Sequence, residues 1–181
     1  MEVKVGDVTL EVVRGNIVKQ EGFDAIVNAA NAWLRHGGGV AGAIHRAAGP
    51  GLEEECRPLA PIKPGQAVIT GGHNLPNPYV IHVLGPVYGV DDGPEEKLAD
   101  CYRNTLKLAD ERGLESVAFP AISTGAFGYP MEEAAEVAFN AILDTIPELN
   151  SVKRIRMVLY RKRDLDIHEK VLERVLKERG L

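Results

Sequence analysis

Apolar and polar positions along this chain follow two periods. Val8 to Val13 alternates and predicts a strand with one buried face. Ala25 to Ala29 opens on the apolar run Ala25-Ile26-Val27 and predicts a buried strand. Gly39 to Ala48 switches to helical spacing, with Val40, Ile44 and Ala47 on one side, and stops at Gly49-Pro50. Gly51 to Leu59 predicts a short helix. Ala67–Thr70 and Tyr79–Leu84 predict strands joined by a turn rich in Gly, Asn and Pro, as in a hairpin. Glu95 to Arg112 is amphipathic, with Leu98, Tyr102, Leu106 and Ala109 along one face, and Gly113 ends it. Ser116 to Pro120 predicts another buried strand, Met131 to Ile146 a helix and Ile155 to Tyr160 a strand. The last helix, about Leu165 to Arg179, carries Ile167, Val171, Leu172, Val175 and Leu176 as a core-facing stripe.

Strands that alternate with helices predict an α/β sandwich. The hairpin and the opening strand favour a mixed, mostly parallel sheet over a wholly parallel one. With 181 residues, no internal repeat and no linker, the chain reads as one domain over 1–181.

Two loops carry the candidate chemistry. The first is Asn28-Ala29-Ala30-Asn31 followed by Gly37-Gly38-Gly39-Val40, between a buried strand and a helix start. Glycines there let backbone N–H groups approach a ligand without Cβ clashes. The helix N-terminus favours an anion, most often a phosphate. The run is neither a Walker A loop, since no Gly-Lys-Ser/Thr follows, nor a dinucleotide fingerprint. The second loop, Ala121-Ile122-Ser123-Thr124-Gly125-Ala126-Phe127-Gly128-Tyr129-Pro130, follows the same plan of strand, small-residue turn and helix. Ser123 and Thr124 also suit a helix N-cap, and Pro130 a first helical turn. Two such loops facing one crevice suggest a diphosphate.

With both loops in view, the chain resembles the macro domain family. The resemblance rests on Val27-Asn28-Ala29-Ala30-Asn31, Gly37-Gly38-Gly39-Val40, Gly42-Ala43-Ile44-His45-Arg46-Ala47-Ala48-Gly49, Ile81-His82-Val83-Leu84-Gly85-Pro86 and Ala118-Phe119-Pro120-Ala121-Ile122-Ser123-Thr124-Gly125. It implies a three-layer α/β/α sandwich with a mixed sheet and a cleft for ADP-ribose, and much of its detail looks like the MacroD-type branch. Asn16 then stands where the family usually has an aspartate for the adenine amino group, with the Ile17 backbone serving the ring. A neutral amide accepts without charge assistance and can rotate to donate. Weaker adenine binding and relaxed discrimination against a 6-oxo base are expected. Tyr160 matches a position where an aromatic stacks on adenine. Asn31 contacts the distal ribose in the resemblance, Phe127 packs beside it, and Asn28 holds the loop. Gly38, Gly39 and Val40 on one side, and Ser123, Thr124, Gly125, Ala126 and Phe127 on the other, are expected to wrap the diphosphate.

The family pattern breaks at Gly39-Val40-Ala41-Gly42, where MacroD-type hydrolases carry aspartate in place of Ala41. An aspartate-assisted route is therefore absent. The expected alternative is substrate-assisted hydrolysis, with Asn31, Gly39 and Phe127 positioning ribose and water and no side-chain base. The ligand is then ADP-ribose on a protein or a metabolite such as O-acetyl-ADP-ribose. A non-catalytic reader of ADP-ribose or poly-ADP-ribose and an ADP-ribose 1″-phosphatase are the alternatives.

Composition narrows the rest. Net charge is −5, which gives no general attraction to nucleic acid. Lys153, Arg154 and Arg156, then Arg161, Lys162 and Arg163, form a local basic run. It reads as a solvated strand edge and loop, or else as a collar for a polyanion such as poly-ADP-ribose or RNA. Cys56 and Cys101 read as small core residues. His36 lies beside the proposed cleft, whereas His45 and His82 read as structural. No spacing suggests a metal site, and no cofactor is expected. Met1-Glu2-Val3-Lys4 lacks the apolar stretch of a signal peptide, and no run reaches membrane-span length, so a cytoplasmic location is expected.

Overall fold

The computed structural model describes residues 1–181. Seven strands form one sheet: β1 (Glu2–Val5), β2 (Val8–Arg14), β3 (Ala25–Ala29), β4 (Ala67–Gly71), β5 (Tyr79–Val83), β6 (Ser116–Phe119) and β7 (Arg154–Leu159). Their order is β1-β2-β7-β6-β3-β5-β4. The edge pairs β1/β2 and β4/β5 are antiparallel, and every pairing between them is parallel. The helices are α1 (Gly39–Ala48), α2 (Pro50–Cys56), α3 (Pro94–Glu111), α4 (Met131–Thr145) and α5 (Lys162–Glu178). This is the α/β sandwich with a mixed sheet that the pattern predicts, in the three layers that the resemblance implies. The strand β1 is an addition, because its short Glu2-Val3-Lys4-Val5 alternation carries little signal on its own.

Strand alternation divides the core. Ala25 and Val27 face a layer formed by α3, α4 and α5, with Leu98, Leu106, Phe139 and Leu172 fully buried. Ile26 faces the other side, against Ile44 of α1 and Leu52 of α2. The helix predicted for residues 51–59 divides into α2 and a 3₁₀ turn at Arg57–Leu59.

The face toward α3, α4 and α5 is apolar at the sheet centre, whereas a polar line crosses the other. Asn28, at the end of β3, has no exposed surface, and its Nδ2 lies 3.0 Å from His82 Nδ1 on β5. His82 Nε2 lies 2.9 Å from Thr70 Oγ1 on β4, and that hydroxyl donates to the Gly71 carbonyl at 3.1 Å. The amide must donate to Nδ1, so the ring proton sits on Nε2 and is given to Thr70. Burial pushes the His82 imidazole down to about 3, and nearby His45 acts in the same direction. The unfolded chain therefore binds a proton at this residue across a range in which the fold does not. Stability is expected to fall as pH drops below about 6.5, by about 2 kcal/mol at about pH 5 from His82 alone. Urea unfolding at the two ends of that range measures the loss, and equal midpoints would show that His82 is protonated in the fold.

Candidate functional site

Because β2, β7, β6 and β3 run parallel, the loops that leave them gather at one end of the sheet. A cavity of about 410 Å³ opens there between the loop after β3 and the loop after β6. Asn31, Gly38, Gly39, Val40, Ser123, Gly125, Ala126 and Phe127 all line it. A second cavity of about 550 Å³ continues from it, lined by Asn16, Ile17, Thr124 and Tyr160. Gly39, Val40, Ala121 and Gly125 line both, so the two are halves of one cleft. Together they fall within the size range of ligand sites.

The backbone donors of this cleft are unpaired. None of residues 37–41 gives its N–H to a protein acceptor, and none of residues 123–127 does. The first set includes the open first turn of α1, where a helix leaves its N–H groups free. The second set is held open by its carbonyls and side chains. Ser123 O accepts from Tyr129 N at 2.9 Å, Gly125 O from Gly128 N at 3.0 Å and Phe127 O from Tyr88 N at 2.8 Å. Ser123 adopts φ 67° and donates its hydroxyl to Pro86 O at 2.8 Å. Thr124 donates to Ala121 O at 2.9 Å. Neither hydroxyl caps a helix, since α4 begins only at Met131, after Pro130.

Glycine is required where the loops pack. A Cβ on Gly42 would lie 2.3 Å from the Gly37 carbonyl oxygen, and one on Gly85 would lie 2.0 Å from Ser123 Oγ.

The two asparagines divide their work. Asn31 pins the loop: its Nδ2 donates to Arg35 O at 2.8 Å and its Oδ1 accepts from Arg35 N at 3.0 Å. It also lines the cleft. Asn28 lines neither half and instead ties β3 to His82 below the floor. Strand alternation turns it into the core, where it supports the loop from below. Asn16 caps the 3₁₀ turn Ile17–Lys19, its Oδ1 accepting from Val18 N at 3.1 Å. Tyr160, one residue beyond β7, is 75% exposed and so stands over the second half rather than plugging the core. Arg14 Nε holds its carbonyl at 3.3 Å.

Sequence reading missed Ala43, Arg46 and Asp164, which also line the second half. Ala43 and Arg46 follow Gly39 at intervals of four and three, so helical spacing was the available signal. His36 is exposed, and its backbone N–H is held by Glu53 Oε1 at 3.2 Å. His45 is buried in α1, and burial lowers its pKa.

Charge is arranged to admit an anion. No titratable side chain lines the first half. A larger groove of about 920 Å³ between α3 and α4 carries Glu95, Glu96, Glu133, Glu136 and Asp144, the wrong sign for a diphosphate. The basic run does not form one collar. Glu11 accepts from both Arg154 and Arg156, whose guanidinium groups each sit 4.6 Å from the Phe23 ring. Burial alone would raise the Glu11 pKa, but the two arginines outweigh it and hold the carboxyl below its usual range. That cluster lies at the start and middle of β7, whereas Arg161 lies past its other end, at the cleft.

The model of the macro domain matches residues 27–138, which contain both loops. The chain belongs to the macro domain family. A macro domain-containing protein of Chlorobaculum tepidum is 49% identical over 150 residues, covering 82% of this chain and 87% of that one. The human ADP-ribose glycohydrolase MACROD2 is 48% identical over 160 residues, 87% of this chain but 37% of that protein. Among solved structures, an Oceanobacillus iheyensis macrodomain with ADP superposes with a TM-score of 0.94 at 41% identity, covering 98% of this chain and 97% of its own. A Trypanosoma brucei macrodomain in complex with ADP-ribose gives 0.83 at 36% identity, covering 89% of this chain and 68% of its own.

In this macro domain, Gly85→Ala sets a methyl group against the Ser123 hydroxyl and the Ile122 side chain, which must shift. It is expected to lower stability by about 1–3 kcal/mol. It should also weaken by more than about tenfold the binding of any ligand held by the free N–H groups of residues 123–127, since donor positions misplaced by an ångström no longer converge. Thermal melts and calorimetric titration read the two effects. Full affinity in a destabilised variant would show that the loop is not held by this contact.

Proposed function

We propose that this macro domain binds ADP-ribose along the whole cleft and hydrolyses ADP-ribose esters. The observation that carries the reading is the pair of facing backbone segments, 37–41 and 123–127, whose N–H groups lack protein acceptors. A diphosphate between them satisfies both. The distal ribose then lies against Asn31 and Phe127, and adenine lies between Asn16, Ile17 and exposed Tyr160, where aromatic stacking contributes about 1–3 kcal/mol. Complexes of related macrodomains with ADP and ADP-ribose support the ligand, and the similarity to MACROD2 supports the hydrolase class.

The ester substrates are ADP-ribosylated acidic side chains and O-acetyl-ADP-ribose. On an ADP-ribosylated acidic side chain, water attacks C1″ of the distal ribose, the bond from C1″ to the ester oxygen breaks, and the side-chain carboxylate leaves. A phosphate oxygen of the ligand orients the water and takes its proton, because the lining of this half holds no titratable side chain. Gly39 leaves room for that water, and Asn31 and Phe127 fix the ribose, so rate comes from positioning.

One observation favours a second reading. Ala41 lines the cleft and is 6% exposed, so no side chain there activates water. A pure reader of ADP-ribose needs none.

Calorimetric titration with ADP-ribose, ADP and AMP tests the ligand. Tight ADP-ribose binding with much weaker ADP binding is expected, because the distal ribose is read. Assays on mono-ADP-ribosylated protein then separate hydrolase from reader. Phe127→Ala is expected to lower kcat for ester cleavage by about tenfold or more with a smaller loss of ADP-ribose affinity. Equal losses would make the aromatic a binding contact only. Gly39→Glu sets a carboxylate against the diphosphate and is expected to abolish binding. Retained tight binding in that variant would overturn the placement of the cleft.

A further inference from the structure

The orientation of the Asn16 amide is fixed by the main chain. Val18 N–H needs an acceptor, and only Oδ1 of the amide can serve, at 3.1 Å. The NH₂ end is thereby turned away from Val18, and it donates to no protein group. The adjacent Ile17 N–H also finds no protein acceptor. Both residues line the second half of the cleft. An aspartate at this position would cap the turn with one oxygen and offer the other outward. Asparagine caps with its oxygen and offers N–H outward.

We infer that the base end of this cleft recognises a hydrogen-bond acceptor at C6 of a purine, so that a 6-oxo purine diphosphoribose binds at least as tightly as ADP-ribose. The inference rests on the proposed ADP-ribose reading and refines its base. Adenine brings an amino group at C6, which meets the Asn16 amino group donor to donor. Hypoxanthine brings O6, whose two lone pairs accept from Asn16 Nδ2 and from Ile17 N. Rotating the amide to suit adenine sets its NH₂ against Val18 N–H and removes the cap of the 3₁₀ turn. The end is open to water beside Tyr160, which is 75% exposed, so hypoxanthine N1–H keeps a solvent partner.

The test is calorimetric titration of the wild type and Asn16→Asp with ADP-ribose and with inosine diphosphoribose. The Asp variant keeps the cap, and an unchanged melting temperature confirms that it folds. Equal or tighter binding of the inosine compound is expected for the wild type. Asn16→Asp is expected to shift the ratio of the two affinities toward ADP-ribose by about tenfold. A wild type that prefers ADP-ribose as strongly as the variant does would overturn the inference and leave the ADP-ribose reading standing. A wild type that binds neither compound would overturn both.

Discussion

Backbone N–H groups without carbonyl partners are what the rest of this structure is arranged around. Strand pairing and helix ladders use most of the chain's donors, yet 37–41 and 123–127 keep theirs free. Such groups are costly to bury unpaired and must face water or an anion. The sheet order brings them together, because β3 and β6 are neighbours although far apart in sequence. Parallel pairing then directs both following loops to one end, where open α/β sheets hold ligands.

Much of this was legible in the chain itself. Apolar runs and helical spacing located the strands and helices to within a few residues, because each is driven by burial of its own face. The Gly-rich and Ser/Thr-rich turns located the cleft, because those residue types serve backbone approach. What the sequence could not supply was partnership between distant side chains. Asn28 and Asn31 sit three residues apart in one motif, and only the fold shows that one turns down to His82 while the other closes its loop on Arg35. Ser123 and Thr124 looked like helix caps, and the long excursion to Met131 gives their hydroxyls to Pro86 and Ala121 instead. Gly85 carried no signal by itself. Its need for a missing Cβ arises from Ser123, which arrives from another strand.

Charge shows the same separation between composition and arrangement. A chain with net charge −5 still lines the first half of its cleft without a carboxylate. The acids collect instead on α3 and α4, and Glu11 neutralises two arginines that would otherwise extend the basic run along β7. Net charge therefore says little about the first half of the cleft, whose lining offers peptide dipoles and no ionised group.

Ser123 holds a left-handed backbone that a glycine adopts more readily. Its hydroxyl keeps that conformation by reaching Pro86. The loop is thus held by contacts within the fold itself. Folding free energy and ligand readiness draw on the same small set of contacts, so the loop trades robustness for preorganisation. A chain selected only for thermal endurance would relax this corner, and with it the fixed spacing of the free N–H donors.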